Sequence, residues 1–149
     1  MNLHHAVLSF ALLCAVSSVS STAEAARGLE ARDLVTLDRY SAPTLSPNGR
    51  MLVFAKRSVD FAANKSATAL WIENLAARDA APPKRLTPEG WNVNSPAFSP
   101  DGSTVYFLSA KSGSQQLYAL PAAGGTPKLL TELPVDVGGY KLSPDGKRV

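Results

Sequence analysis

One tetrapeptide recurs three times in this chain: Ser46-Pro47-Asn48-Gly49, Ser99-Pro100-Asp101-Gly102 and Ser143-Pro144-Asp145-Gly146, spaced 53 and 44 residues apart. Self-similarity at such a spacing is the mark of a repeat architecture, and it constrains every other reading. An apolar residue precedes each Ser-Pro (Leu45, Phe98, Leu142), and Leu52, Val105 and Val149 stand three residues after the glycines. Phe54 and Phe107 follow two positions later, so with Leu52 and Val105 they share a strand face, because side chains alternate with period two. Further along, ALWIENL (69–75) aligns with QLYALPA (116–122), setting Trp71 over Tyr118, and PKRLT (83–87) aligns with PKLLT (127–131). The unit is strand, turn, strand, loop, strand, turn, strand. Four antiparallel strands in about 40–50 residues describe a propeller blade. The expected fold is all-β, a partial β-propeller of about two four-stranded blades and the start of a third.

The blade units run over about 43–94, 95–139 and 140–149. The first is longer mostly in Asp60–Thr68, where the second has only Lys111–Ser114, so a longer connection with at most one helical turn is expected there. Residues 26–42 form a lead-in. In it Leu34 and Leu37 lie three apart behind Asp33 as N-cap, and Pro43 forbids helical continuation, which predicts a short helix.

Each residue of the repeated turn has a backbone role. Pro has φ held near −65°, Asp or Asn tolerates the crowded third position, and Gly accepts positive φ in the fourth. The chemical alternatives are a serine nucleophile and a carboxylate acid–base pair. Ser99 lacks a histidine base, since His4 and His5 belong to the N-terminal segment discussed below, and no G-x-S-x-G elbow exists in the chain. Asp101 and Asp145 occupy the same turn position in different blades, so acidity alone does not make them a pair. Lys111-Ser112-Gly113 lacks an S-x-x-K partner and reads as a hairpin loop. Asn64-Lys65-Ser66 is an N-x-S sequon and reads as loop. Trp71, in register with Tyr118, is expected in the core, whereas the register does not place Trp91 in the linker TPEGWNVNSP. No catalytic, cofactor-binding or metal-ligating residue is assigned, and no cofactor is expected.

With 45% hydrophobic and 18% charged residues the composition is globular. The first 25 residues differ from the rest. They hold no Lys or Arg, and Ala6–Val16 is apolar except for Ser9, too short for the roughly 20 residues that span a bilayer. Small and polar residues follow, ending in Ala23-Glu24-Ala25, an A-x-A cleavage pattern before Ala26. Residues 1–25 are therefore expected to be a removable export signal, with a periplasmic or secreted mature chain that makes no membrane contact after cleavage. Cys14, the sole cysteine, leaves with the signal, which excludes disulfide and thiol chemistry. Loss of Glu24 leaves 15 basic and 11 acidic side chains, scattered rather than clustered, and no nucleic-acid partner is expected.

Taken together, DLVTLDRYSAPTLSPNGRMLVFAKR (33–57), ALWIENL, PKRLT and the second and third Ser-Pro-Asp-Gly turns resemble the propeller of the prolyl oligopeptidase family of serine peptidases. Bacterial dipeptidyl and acylaminoacyl peptidases are the nearest in kind, and the resemblance covers nearly all of residues 29–149. It implies that the propeller caps a C-terminal α/β-hydrolase domain of the same parent chain and filters peptide substrates toward a Ser-Asp-His triad later in sequence. None of those triad residues matches a position here. Propellers similar to TolB, which bind a protein or envelope partner, are the alternative. They carry a separate mixed domain before their blades, whereas about twenty residues separate Ala26 from the first turn. Val149 falls inside the strand expected after the third turn, so the chain reads as a fragment. Two blades and a stub leave at least one blade face uncovered.

Overall fold

The computed structural model describes residues 28–76 and 81–149. The expected export signal, with Cys14 and both histidines, lies outside them. Among the described residues no helix is long and apolar enough to cross a membrane.

Among the described residues eight strands build two four-stranded antiparallel sheets, each with strands in sequential order. Blade 1 consists of β1 (Arg39–Leu45), β2 (Met51–Asp60), β3 (Lys65–Asn74) and β4 (Lys84–Arg85); blade 2 of β5 (Val93–Phe98), β6 (Thr104–Ser109), β7 (Gln116–Pro121) and β8 (Lys128–Leu129). The two sheets repeat each other in detail. Phe54 pairs with Trp71 as Phe107 pairs with Tyr118. The threonine that closes each fourth strand acts as a hydrogen-bond acceptor for the third. Thr87 Oγ1 accepts the Leu70 amide at 3.0 Å, and Thr131 Oγ1 accepts the Leu117 amide at 2.9 Å. Each supplies a bond that a two-residue strand is too short to make through its backbone.

The core lies between the blades. Val53, Ala55, Leu70 and Ile72 on one face of blade 1 meet Phe98, Val105, Phe107, Tyr118 and Leu120 of blade 2. Leu52 and Phe54 do lie on the same side of their blade as Val105 and Phe107 do of theirs. In blade 2 that side meets blade 1, whereas in blade 1 no described blade covers it. Trp71 is on this open side, half-exposed, and not in the core. Trp91 instead packs against the core, its ring edge-on to Tyr118 at 5.0 Å and to Phe107 at 6.2 Å. The core expectation for Trp71 is thus overturned, and Trp91, which the register left unplaced, takes a core-packing position, because burial of a blade face depends on which blade stands beside it, not on the local pattern.

Three local expectations change. The extra residues of unit 1 lengthen the strands rather than the loop: β2 and β3 stay paired out to Asp60↔Lys65. A tight turn closes this projecting hairpin, with Asn64 at φ 48° and Asp60 Oδ1 accepting the Ala63 amide at 2.9 Å. The helix, α1 (Ala31–Thr36), starts earlier than expected. Its N-cap is Glu30, and Asp33 is the third helical residue, whose carboxylate accepts the Glu30 amide at 2.9 Å in a capping box. The third unit forms its turn, closed by Ser143 N–H to Arg148 O at 2.9 Å, but no strand follows, since three residues after Gly146 are too few for a ladder.

The turns also pack on one another. Gly102 has φ +74°, and a Cβ there would stand 3.4 Å from Pro47 Cδ; Gly146 has φ +68° and the same relation to Pro100. The proline of one blade thus rests on the glycine of the next. Gly102→Ala is expected to destabilise the full-length protein by roughly 1–2 kcal/mol through the left-handed backbone alone, read as a lowered unfolding midpoint. An unchanged midpoint contradicts the turn geometry.

Candidate functional site

The three Ser-Pro-Asx-Gly turns have one wiring. Each serine hydroxyl donates to the Asx side chain two residues on, at 2.7 Å for Ser46–Asn48 and 2.5 Å for Ser143–Asp145, with Ser99–Asp101 shorter still. The same oxygen accepts the amide five residues later, from Met51 at 2.9 Å, Thr104 at 3.0 Å and Arg148 at 2.9 Å. The Asx oxygen in turn accepts the amide two residues beyond itself, from Arg50, Ser103 and Lys147 at 3.0–3.1 Å. The serine proton is therefore committed to a structural acceptor, and no histidine exists among the described residues to receive it. A carboxylate alone is too weak a base to generate an alkoxide at neutral pH. Asp101 and Asp145 serve separate turns, as their repeat position implies.

Those bonds stabilise the ionised carboxylates. The hydroxyls of Ser99 and then Ser103, with the Ser103 amide, hold Asp101 down at about 2, and Ser143 lowers Asp145 in the same way. A depressed value stabilises the fold above the ordinary carboxylate pKa of 3.8, and the contribution fades as pH falls toward about 2. Blade 1 carries the non-titrating Asn48 in this position. Asp101→Asn is accordingly expected to flatten the loss of stability between pH 3.8 and about 2, measured by urea unfolding at each pH. An acid limb identical to wild type contradicts the wiring.

The remaining candidates fall in hairpins. Lys111-Ser112-Gly113 closes β6 to β7, with Gly113 at φ +110° and its amide on Ala110 O at 3.1 Å. Asn64-Lys65-Ser66 spans the tip and first residues of the projecting hairpin, not a long loop. Among the described residues no three His, Cys, Asp or Glu side chains stand together to hold a metal.

Sequence reasoning did not find the open face of blade 1. Tyr40, Leu52, Phe54 and Trp71 form an apolar surface there, with the Tyr40 and Phe54 rings 5.6 Å apart. Lys56 lies across it, its ammonium 4.9 Å from the Trp71 ring centre and 2.6 Å from an Asp38 carboxylate oxygen. The hydrogen bond between them lowers Asp38 and raises Lys56, so the pair stays ionised at neutral pH. This is a packing surface with one fixed charge pair. It has no nucleophile or base arranged for turnover.

No protein-family model matches the chain. It is 30% identical over 116 residues to dipeptidyl-peptidase 5 of Porphyromonas endodontalis, covering 78% of this chain and 16% of that protein. The chain thus spans about a sixth of the curated relative. Among solved structures, acylaminoacyl peptidase of Pyrococcus horikoshii superposes with a TM-score of 0.60 at 18% identity, over 76% of this chain and 17% of that one. The β-propeller domain of the trilobed protease of Pyrococcus furiosus gives 0.50 at 19%, over 65% and 28%. A putative TolB from Agrobacterium tumefaciens gives 0.54 at 30%, over 74% and 36%. The two sheets and these superpositions make the chain a partial β-propeller. Over three quarters of its length the chain is similar in sequence to a dipeptidyl-peptidase, and over a comparable share it is similar to a TolB propeller.

Proposed function

We propose that this segment is the substrate gate and scaffold of an exported serine peptidase of the prolyl oligopeptidase type. Hydrolysis belongs to an α/β-hydrolase domain elsewhere in the parent protein. The observation that supports this most is the match to dipeptidyl-peptidase 5 over 78% of the chain, joined to a repeat whose serines are all committed to turns. Export rests on residues 1–25 as a signal cleaved after Ala25, placing the mature protein in the periplasm or outside the cell. A propeller suits the gating role because its blades form a rigid ring of sheets around a channel that a folded protein cannot enter.

A second reading has its own support: the putative TolB shares 30% identity and is covered to 36% of its length, more than the peptidase relative. On that reading the parent is a non-enzymatic propeller that binds a protein or envelope partner. The two separate on one experiment. The purified full-length protein is expected to cleave chromogenic dipeptidyl or acylaminoacyl substrates and to lose that activity on treatment with a fluorophosphonate. Absence of cleavage across both substrate types favours the TolB-like reading. N-terminal sequencing of the exported protein should begin at Ala26, and retention of residues 1–25 refutes the signal.

A further inference from the structure

Two arginines face each other across β1 and β2. Arg39 and Arg57 are directly paired in register, and Arg57 pairs on its other side with Thr68. Directly opposed like charges destabilise a sheet, yet no described ion pair involves either residue. Arg39 gives one bond to Leu34 O at 3.4 Å, and Arg57 one to Ser66 Oγ at 3.0 Å. Each guanidinium has five N–H donors, so most remain available.

Both line a cleft of about 450 Å³ between blades 1 and 2, together with Ser41, Thr68, Asn94 and Ser95. Residues of this register lie on the blade 1 face that turns toward blade 2, continuing the row of Val53 and Ala55 beyond the core. The cleft is flanked by two β-bulges, at Ser41/Thr44 and Asn94/Ala97, with Ala42 at φ 49° and Ser95 at φ 52°. A bulge leaves a residue outside the ladder.

The repeat supplies an internal control. Counted from the turn serines, Arg39, Ser41 and Arg57 align with Asn92, Asn94 and Ala110. Blade 2 therefore has the same bulge without the charges, and there Asn94 Nδ2 donates to Gln115 Oε1 at 2.9 Å in a neutral contact. The paired arginines are not a requirement of blade construction. They are two unneutralised, fork-shaped donors in a cleft whose other lining residues are neutral and in part apolar (Tyr40, Ala55, Val93), and paired forks of this kind suit a carboxylate.

We propose that the cleft between blades 1 and 2 binds the carboxylate of an acidic peptide, held between Arg39 and Arg57. The choice of a peptide as carrier rests on the gating function above; the two-arginine site does not. A volume of about 450 Å³ exceeds what a lone oxyanion fills and lies within the usual range of about 300–1,000 Å³ for ligand sites.

The test is fluorescence anisotropy on the full-length protein, with a labelled Asp-containing peptide, its Asn isostere and inorganic phosphate as competitor. The Asp peptide is expected to bind at least tenfold more tightly than the isostere. Arg39→Gln and Arg57→Gln should each remove that preference, while Arg50→Gln, an equal loss of charge in the first turn, should retain it. Both site arginines are exposed, and relief of the opposed charges should leave the unliganded melting midpoints at or above wild type, so loss of folding does not confound the result. Equal affinity for the two peptides, or a preference unchanged in both variants, overturns the proposal. Phosphate binding without carboxylate preference overturns it too. A protein that shows the preference yet hydrolyses nothing refutes the peptidase reading and leaves the site standing; hydrolysis without preference refutes the site alone.

Discussion

Phe107→Ala is expected to destabilise the propeller by about 3–5 kcal/mol, the usual cost of emptying a fully enclosed aromatic site. Phe107 has no solvent exposure, and it is cross-strand partner to Tyr118, with the two rings near-parallel at 5.7 Å. Trp91 stands edge-on to both rings. Removing Phe107 therefore leaves a void at the contact between two blades and strips Trp91 of one support. Phe54→Ala, the aligned change in blade 1, removes a ring of similar burial, but from the face that no described blade covers. The comparison of the two in urea unfolding, with the larger loss expected for Phe107→Ala, tests whether blade faces stack as described. Equal costs contradict that stacking.

The second large effect belongs to Gln116, which is 1% exposed. The two N–H groups of its Nε2 are shared among Ser114 Oγ at 2.8 Å, Leu133 O at 3.0 Å and Val135 O at 3.1 Å. Its Oε1 accepts Thr131 Oγ1 at 2.9 Å and the Leu133 amide at 3.1 Å. One amide thus ties the segment after β8 back to the start of β7. Gln116→Leu keeps the volume while removing every bond, and the groups left behind should cost about 1–3 kcal/mol. Hydrogen exchange at the Leu133 amide should accelerate in step. Unaltered protection at Leu133 refutes the anchoring role.

The parts of this fold that were legible in sequence are those set by short-range chemistry. Positive φ at Gly49, Gly102 and Gly146 follows from what Ser-Pro-Asx-Gly permits, and alternation then orders four strands per unit. Where the outcome depends on a neighbour distant in sequence, the local pattern fell short. Trp71 leaves the core expected for it, and Trp91 packs against the core without having been placed there, because the stacking order of blades decides which face is covered. Lys65–Thr68 became strand because pairing to Arg57–Asp60 rescues residues whose own alternation is weak. Gln116 aligns with Ala69, so the repeat marks it as different but not as an anchor; its partners lie 17 and 19 residues away. Arg39 and Arg57 look like two scattered bases until the β1–β2 register sets them side by side.

The central claim is that the repeated serines build blades and that chemistry, where the parent protein performs it, is done elsewhere. It is tested most directly by treating the full-length protein with a fluorophosphonate and mapping the modified residue by peptide mass spectrometry. A single adduct is expected on a serine outside residues 28–149, with Ser46, Ser99 and Ser143 unmodified. An adduct on any of those three contradicts the claim.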